Sequence, residues 1–142
     1  MKNIILIIAA LIFAFSCGNK DDWEGPNGFG PLDGRFEINE LRCSSGATPV
    51  QSRLLNFEPH DNGRMYVDFI ESSVPQSIFK GRSAEGSYSR PDEREFDVTV
   101  SIDRCTFEIR GGFKEIDKFT GTWIDRCDGM EYNCEIRGTR KE

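Results

Sequence analysis

The sequence predicts an all-β domain, an eight-stranded up-and-down antiparallel barrel with two disulfides at one rim. Three observations predict it. From Gly34 onward, apolar residues recur at every second position, the period of strands with one dry face, and no helical period competes. Turn residues cut that stretch into short segments. Consecutive strands with short connections form a meander, and a meander loses its exposed edges by closing on itself.

The elements follow in order. Gly34 to Cys43 is the first strand, with Phe36 and Ile38 on one face. Val50 to Pro59 is the second, and His60-Asp61-Asn62-Gly63 is a hairpin turn because Asn-Gly tolerates positive φ. Arg64 to Glu71 is the third. A loop around Pro75 leads to a polar, glycine-bearing fourth strand, Ile78 to Ser89, and Pro91-Asp92-Glu93 turns the chain. In the fifth strand Phe96, Val98, Val100 and Ile102 alternate with Asp97, Thr99, Ser101 and Asp103. In the sixth, Cys105, Phe107, Ile109, Gly111 and Phe113 alternate with Thr106, Glu108 and Arg110. Glu115-Ile116-Asp117 turns into the seventh strand, Phe119 to Cys127, where Phe119, Gly121 and Trp123 are in phase. Met130 to Arg140 closes the chain. The aromatic residues at these inward phases are expected to form the core.

The front of the chain is different. Met1-Lys2-Asn3 is a positive start, and Ile4 to Phe15 is an apolar run too short to span a bilayer comfortably and suited to export. Ala14 and Ser16 then flank Phe15 just before Cys17. This resembles a bacterial lipoprotein signal, which implies cleavage before Cys17 and lipid (palmitate among the acyl chains) on that cysteine. The other reading is a plain secretory leader. Stable anchoring needs more than one acyl chain, and a diacylated or triacylated cysteine meets that need unaided. Lys20-Asp21-Asp22 resembles the short export tag that directs some Gram-negative lipoproteins to the outer leaflet of the outer membrane, the alternative being an ordinary charged linker. The organisation expected is a signal peptide over 1–16, a lipidated flexible tether over 17–31 and a barrel domain over 32–142. Localisation follows as the outer membrane, lipid-anchored, with exposure at the cell surface.

Within the barrel, Leu32-Asp33-Gly34-Arg35-Phe36 resembles the Gly-x-Trp opening of the lipocalin-like (calycin) barrels, with Phe36 in place of the tryptophan. Ile136-Arg137-Gly138-Thr139-Arg140 carries basic residues similar to the last-strand arginine that lies across that ring. The resemblance implies a lipocalin-like barrel with a small apolar ligand inside. A β-sandwich is the structural rival, but the cysteine-tryptophan-cysteine spacing of immunoglobulin domains is missing.

Four cysteines remain in the exported part: Cys43, Cys105, Cys127 and Cys134. An oxidising compartment favours pairing, and a zinc centre would lack both a Cys-x-x-Cys pair and a second histidine beside His60. In an eight-strand meander all four fall at one rim. Pairing the sixth and seventh strands about Ile116 sets Cys105 opposite Cys127, Ile109 opposite Trp123 and Phe113 opposite Phe119. Closure brings Cys134 beside Cys43. The predicted disulfides are Cys43–Cys134 and Cys105–Cys127, with Cys127–Cys134 and Cys43–Cys105 as the other arrangement.

The formal net charge of −6 without a basic stripe argues against nucleic acid as a partner. No phosphate loop, nucleophile elbow or His-Glu-x-x-His occurs, so no enzyme, catalytic residue, metal or cofactor is expected. His60 is explained by its turn. Asp125 shares the phase of Trp123 and Cys127; strand twist is expected to carry it into water, the other outcome being a polar fixture of the mouth. Gly111, Gly112 and Gly121 mark a barrel corner or leave room for a ligand. Two functions stand. One is an envelope-anchored module holding a small apolar ligand, lined by Phe96, Val98, Phe107, Ile109 and Trp123. The other is a filled structural barrel presenting loops to an envelope protein partner or polymer.

Overall fold

A computed structural model describes residues 28–46, 51–72 and 79–142. The expected signal peptide, Cys17 and most of the expected tether lie outside the described residues. Eight strands run β1 (Gly34–Cys43), β2 (Gln51–His60), β3 (Arg64–Ser72), β4 (Ser83–Ser89), β5 (Glu95–Ile102), β6 (Cys105–Glu115), β7 (Lys118–Cys127) and β8 (Met130–Lys141). Each pairs antiparallel with the next, and β1 also pairs with β8, so the sheet is a closed barrel. The anticipated pairings Cys105↔Cys127, Ile109↔Trp123 and Phe113↔Phe119 all occur. The Asp61–Gly63 turn between β2 and β3 holds Asn62 at φ 66° and Gly63 at φ 70°.

Three bulges adjust the phase. Between Glu40 and Arg42 the register with β8 slips by one, leaving Leu41 as the extra residue. Glu40 and Cys43 therefore both face inward, although strict alternation would put them on opposite faces. The β2–β3 register shifts between Leu54 and Leu55, and the β6–β7 register shifts between Phe113 and Glu115.

β4 begins at Ser83, five residues later than Ile78. The reason is a turn at 79–81, where Gly81 has φ 75°, its N–H donates to Phe69 O (2.6 Å), and Arg82 N–H donates to Phe79 O (2.9 Å). Both predicted disulfides are present, Cys43–Cys134 joining β1 to β8 and Cys105–Cys127 joining β6 to β7. All four sulfurs sit at one rim.

The barrel interior has two levels. At the end away from the disulfides, Phe36, Phe57, Phe96, Phe113 and Phe119 pack ring against ring, with centroids 4.9 Å (Phe96–Phe119) to 6.0 Å (Phe36–Phe57) apart. Each ring buries well over 100 Å² of apolar surface, and edge-to-face pairs add about 0.5–1.5 kcal/mol beyond burial. Phenylalanine thus fills and closes the base. Nearer the disulfides, Phe69, Phe79, Phe107 and Trp123 form a second aromatic group, with centroids 5.3–5.8 Å apart.

The N-terminal arm is fastened across the base. Arg140 stacks its guanidinium 4.7 Å from the Phe36 centroid and donates to the carbonyls of Asp33 and Pro31, each at 2.6 Å. This is the arginine-on-ring contact expected from the sequence, with Arg140 rather than Arg137 making it. Tyr88 donates its hydroxyl to Phe29 O at 3.1 Å, and burial pushes that phenol up to about 12, so it remains a donor near neutrality. Gly30 and Pro31 are buried. The flexible tether expected to extend to Pro31 therefore gives way to packed chain by Gly30.

Candidate functional site

At the disulfide end three charged side chains of the described residues point into the barrel. Glu40 follows the inward phase of Phe36 and Ile38 on β1, Arg53 that of Leu55 and Phe57 on β2, and Asp125 that of Trp123 on β7. Arg53 lies between the carboxylates, its Nη2 2.5 Å from Glu40 Oε1 and its Nη1 3.6 Å from Asp125 Oδ2. Its guanidinium also covers the Trp123 ring at 4.8 Å, and the Trp123 indole N–H donates to Asp125 Oδ1. The Glu40 side chain is 2% exposed, Arg53 12% and Asp125 19%, so the group runs from the dry interior to the edge of the mouth.

Two carboxylates face one guanidinium, and their environment resists that excess of negative charge. Burial raises the Glu40 carboxyl above its ordinary range; Arg53 opposes this and the Asp125 charge adds to it. Burial likewise raises Asp125, against Arg53 and the Trp123 hydrogen bond. The Glu40–Arg53 approach is close but badly aligned, so Glu40 Oε1 has a charge partner and no hydrogen-bond partner among the described residues. Arg53 Nε is also without a hydrogen bond there. Cys43 Sγ lies 3.9 Å from Glu40 Oε2. Its sulfur is committed to the disulfide, so this is a packing contact and neither Cys43 nor Cys134 offers a thiolate to a metal.

The sequence-selected residues distribute as follows. Phe96, Val98, Phe107, Ile109 and Trp123 all face inward and are at most 3% exposed. Phe107 and Trp123 stand together beneath the charged group at 5.8 Å. Val98 and Ile109 are paired across β5 and β6 further down, and Phe96 belongs to the phenylalanine base. Asp125, expected in water, is instead the polar fixture of the mouth, because the indole N–H and Arg53 supply partners there.

Gly111 and Gly121 are a corner rather than spare room, whereas Gly112 is open, and all three border an outer groove of about 350 Å³. A Cβ on Gly121 would fall 2.0 Å from Arg110 O, and one on Gly111 would fall 2.6 Å from Thr120 O. Backbone already occupies that space. Glu40 and Arg53 were missed by sequence reading, although their period-2 phase marked them as inward.

The outer wall carries alternating charges. A groove of about 560 Å³ is bounded by Arg35, Glu37, Glu71, Lys80 and Lys141, among others, with both signs interleaved. Across β5 to β8, Arg110 meets Asp97 at 3.1 Å, while Arg126 meets Glu108 at 2.5 Å and Glu131 at 2.8 Å. Such exposed pairs contribute little each, about 0–1 kcal/mol. They concentrate no single sign.

Fold and interior together define a class, the closed eight-stranded up-and-down β-barrels. No protein-family model matches the chain, and no curated protein matches it. Among solved structures it is similar to a redesigned beta barrel, b11L5F_LGL, at 14% identity and a TM-score of 0.56, covering 79% of this chain and 93% of that one. It is also similar to EF1p2_mFAP2b bound to DFHBI, at 12% identity and a TM-score of 0.56, covering 78% of this chain and 94% of the other. At such identities the likeness is one of fold.

Proposed function

We propose that this protein is a lipid-anchored envelope barrel, held in the outer membrane through Cys17, that takes a small apolar ligand into the disulfide end of its interior. The observation that carries the ligand reading is the contrast between the two levels. The base is sealed by five phenylalanines and the Arg140 latch, while the upper level joins an aromatic group to charges without full hydrogen bonding. A barrel of eight strands is wide enough for side chains alone or one small ligand. That a barrel of this fold is seen bound to DFHBI is consistent with the second arrangement.

The anchor reading draws on the apolar leader, Cys17 and two disulfides of the kind formed after export. The described arm from Phe29 to Asp33 crosses the base, at the end of the barrel opposite the disulfides.

Two measurements test the reading. Cys17→Ser is expected to move the protein from the membrane fraction to the soluble exported fraction; continued membrane association would refute the anchor. The neutral dye Nile red, added to a Trp23→Phe protein, is expected to quench Trp123 and gain fluorescence in a saturable way. No uptake would favour a filled barrel that presents its loops to a protein partner or an envelope polymer.

A further inference from the structure

We infer that the mouth is a recognition site for a small primary amine carried on an apolar, preferably aromatic, body. The inference rests on the ligand reading just given and names the chemistry of the occupant. Glu40 and Asp125 bring two carboxylates to one guanidinium, so the fully ionised group holds one uncompensated negative charge in a partly dry space. Such a charge must be met by a proton or by a cation.

An alkylammonium suits this excess of negative charge better than a second guanidinium or a metal ion. It offers three short, rotatable donors. Glu40 Oε1, on a side chain 2% exposed, meets Arg53 Nη2 at 2.5 Å in a contact not aligned as a hydrogen bond, so the carboxylate keeps acceptor capacity for one such donor. Asp125 Oδ2 lies 3.6 Å from Arg53 Nη1, a long contact, and its side chain is the most open of the three, on the side where a ligand would enter. A divalent metal would want further oxygen or thiolate ligands, and the neighbouring sulfurs are tied up in a disulfide.

The rest of the ligand is indicated by what surrounds the charges. Trp123 is coupled to both partners, under Arg53 and hydrogen-bonded to Asp125, and packs on Phe107, which in turn meets Phe69 and Phe79. Phe79 is only partly buried, so this aromatic wall reaches toward the opening. Trp123, Phe107 and Phe69 are covered by one another, so a flat apolar body would meet this wall at Phe79 and point its amine at the carboxylates. Arg53 then acts as a spacer that keeps the two acids apart and aligned.

The test compares 2-phenylethylamine with 2-phenylethanol, which share a body and differ in the donor. Binding is followed at pH 7.5 by calorimetry and by Trp123 emission in the Trp23→Phe protein, with Nile red as a third, neutral probe. The amine is expected to bind at least tenfold more tightly than the alcohol, and Glu40→Gln and Asp125→Asn are each expected to remove that advantage. The wild-type comparison stands even if a variant fails to fold. Equal affinity for amine and alcohol, with Nile red still taken up, would overturn the amine inference and leave the ligand reading intact. Failure of all three probes would overturn both. Amine binding without Nile red uptake would support the inference and reject a purely apolar pocket.

Discussion

Replacing Arg53 by methionine keeps most of the side-chain volume and removes the only positive charge facing Glu40 and Asp125 among the described residues. Glu40, at 2% side-chain exposure, would then be an ionised group with no counter-charge inside the barrel. Breaking a buried pair from one side costs about 3–5 kcal/mol. Arg53 retains some solvent contact, so the lower end, about 3 kcal/mol, is the expected loss at pH 7.5. With a urea slope of about 1.5 kcal/mol/M, the midpoint falls by roughly 2 M.

The sign of the pH dependence follows from the raised carboxyls. A carboxyl whose folded value lies above its unfolded one binds protons more readily in the folded state, so stability is full below the unfolded value and declines as pH rises through the folded one. Arg53→Met pushes both acids higher still. Its penalty is therefore small near pH 4.5 and full at pH 7.5. Glu40→Gln alone leaves Arg53 paired one-to-one with Asp125 and is expected to be neutral or stabilising at pH 7.5, and Glu40→Gln with Arg53→Met should recover most of the loss. Urea titrations of the four proteins at both pH values make the check. An Arg53→Met penalty under 0.5 kcal/mol, or one equal at both pH values, would refute the charge balance assigned to the mouth.

Three further outcomes can be checked by the same titrations. Arg140→Ala removes a cation–π contact worth about 0.5–2 kcal/mol and two carbonyl hydrogen bonds from a charged donor, for a loss of about 2–4 kcal/mol, and protease sensitivity is expected to appear near Pro31. Gly138→Ala puts a Cβ 2.1 Å from the Phe119 ring and is expected to cost about 1–3 kcal/mol by overpacking the base, whereas Ala at Gly112, whose nearest neighbour would be 3.6 Å away, is expected to be much milder. Replacing Cys43 and Cys134 by serine removes a cross-link over a separation of 91 residues and should cost more than the Cys105–Cys127 pair, at separation 22: about 4–5 against about 3 kcal/mol by loop entropy.

The legible parts of this molecule are those where residue type and phase agree. β5, β6 and β7 alternate apolar and polar residues with few interruptions, so their register and the Cys105–Cys127 pair could be read in advance. β4 was harder because its inward positions, Ala84, Gly86 and Tyr88, carry only a weak apolar signal and a glycine turn replaces its expected beginning. Bulges have no clear signature in the residues, and the one at Leu41 decides that Cys43 faces the interior with Glu40. The charged mouth was obscured for the opposite reason. Glu40, Arg53 and Asp125 stand at inward phases, but charged residues in strands ordinarily mark the wet face, and only the closure of β7, β8, β1 and β2 brings the three together.

The most direct test of the account is the content of the protein as the cell makes it. Protein expressed from the full sequence, purified from the membrane fraction in mild detergent and extracted with organic solvent, is expected to release one small apolar molecule at close to one per chain by mass spectrometry. Refilling the emptied barrel with that molecule should quench Trp123. An extract holding only bulk membrane lipid, together with Trp123 emission indifferent to Nile red and to both phenylethyl probes, would contradict a ligand-holding barrel.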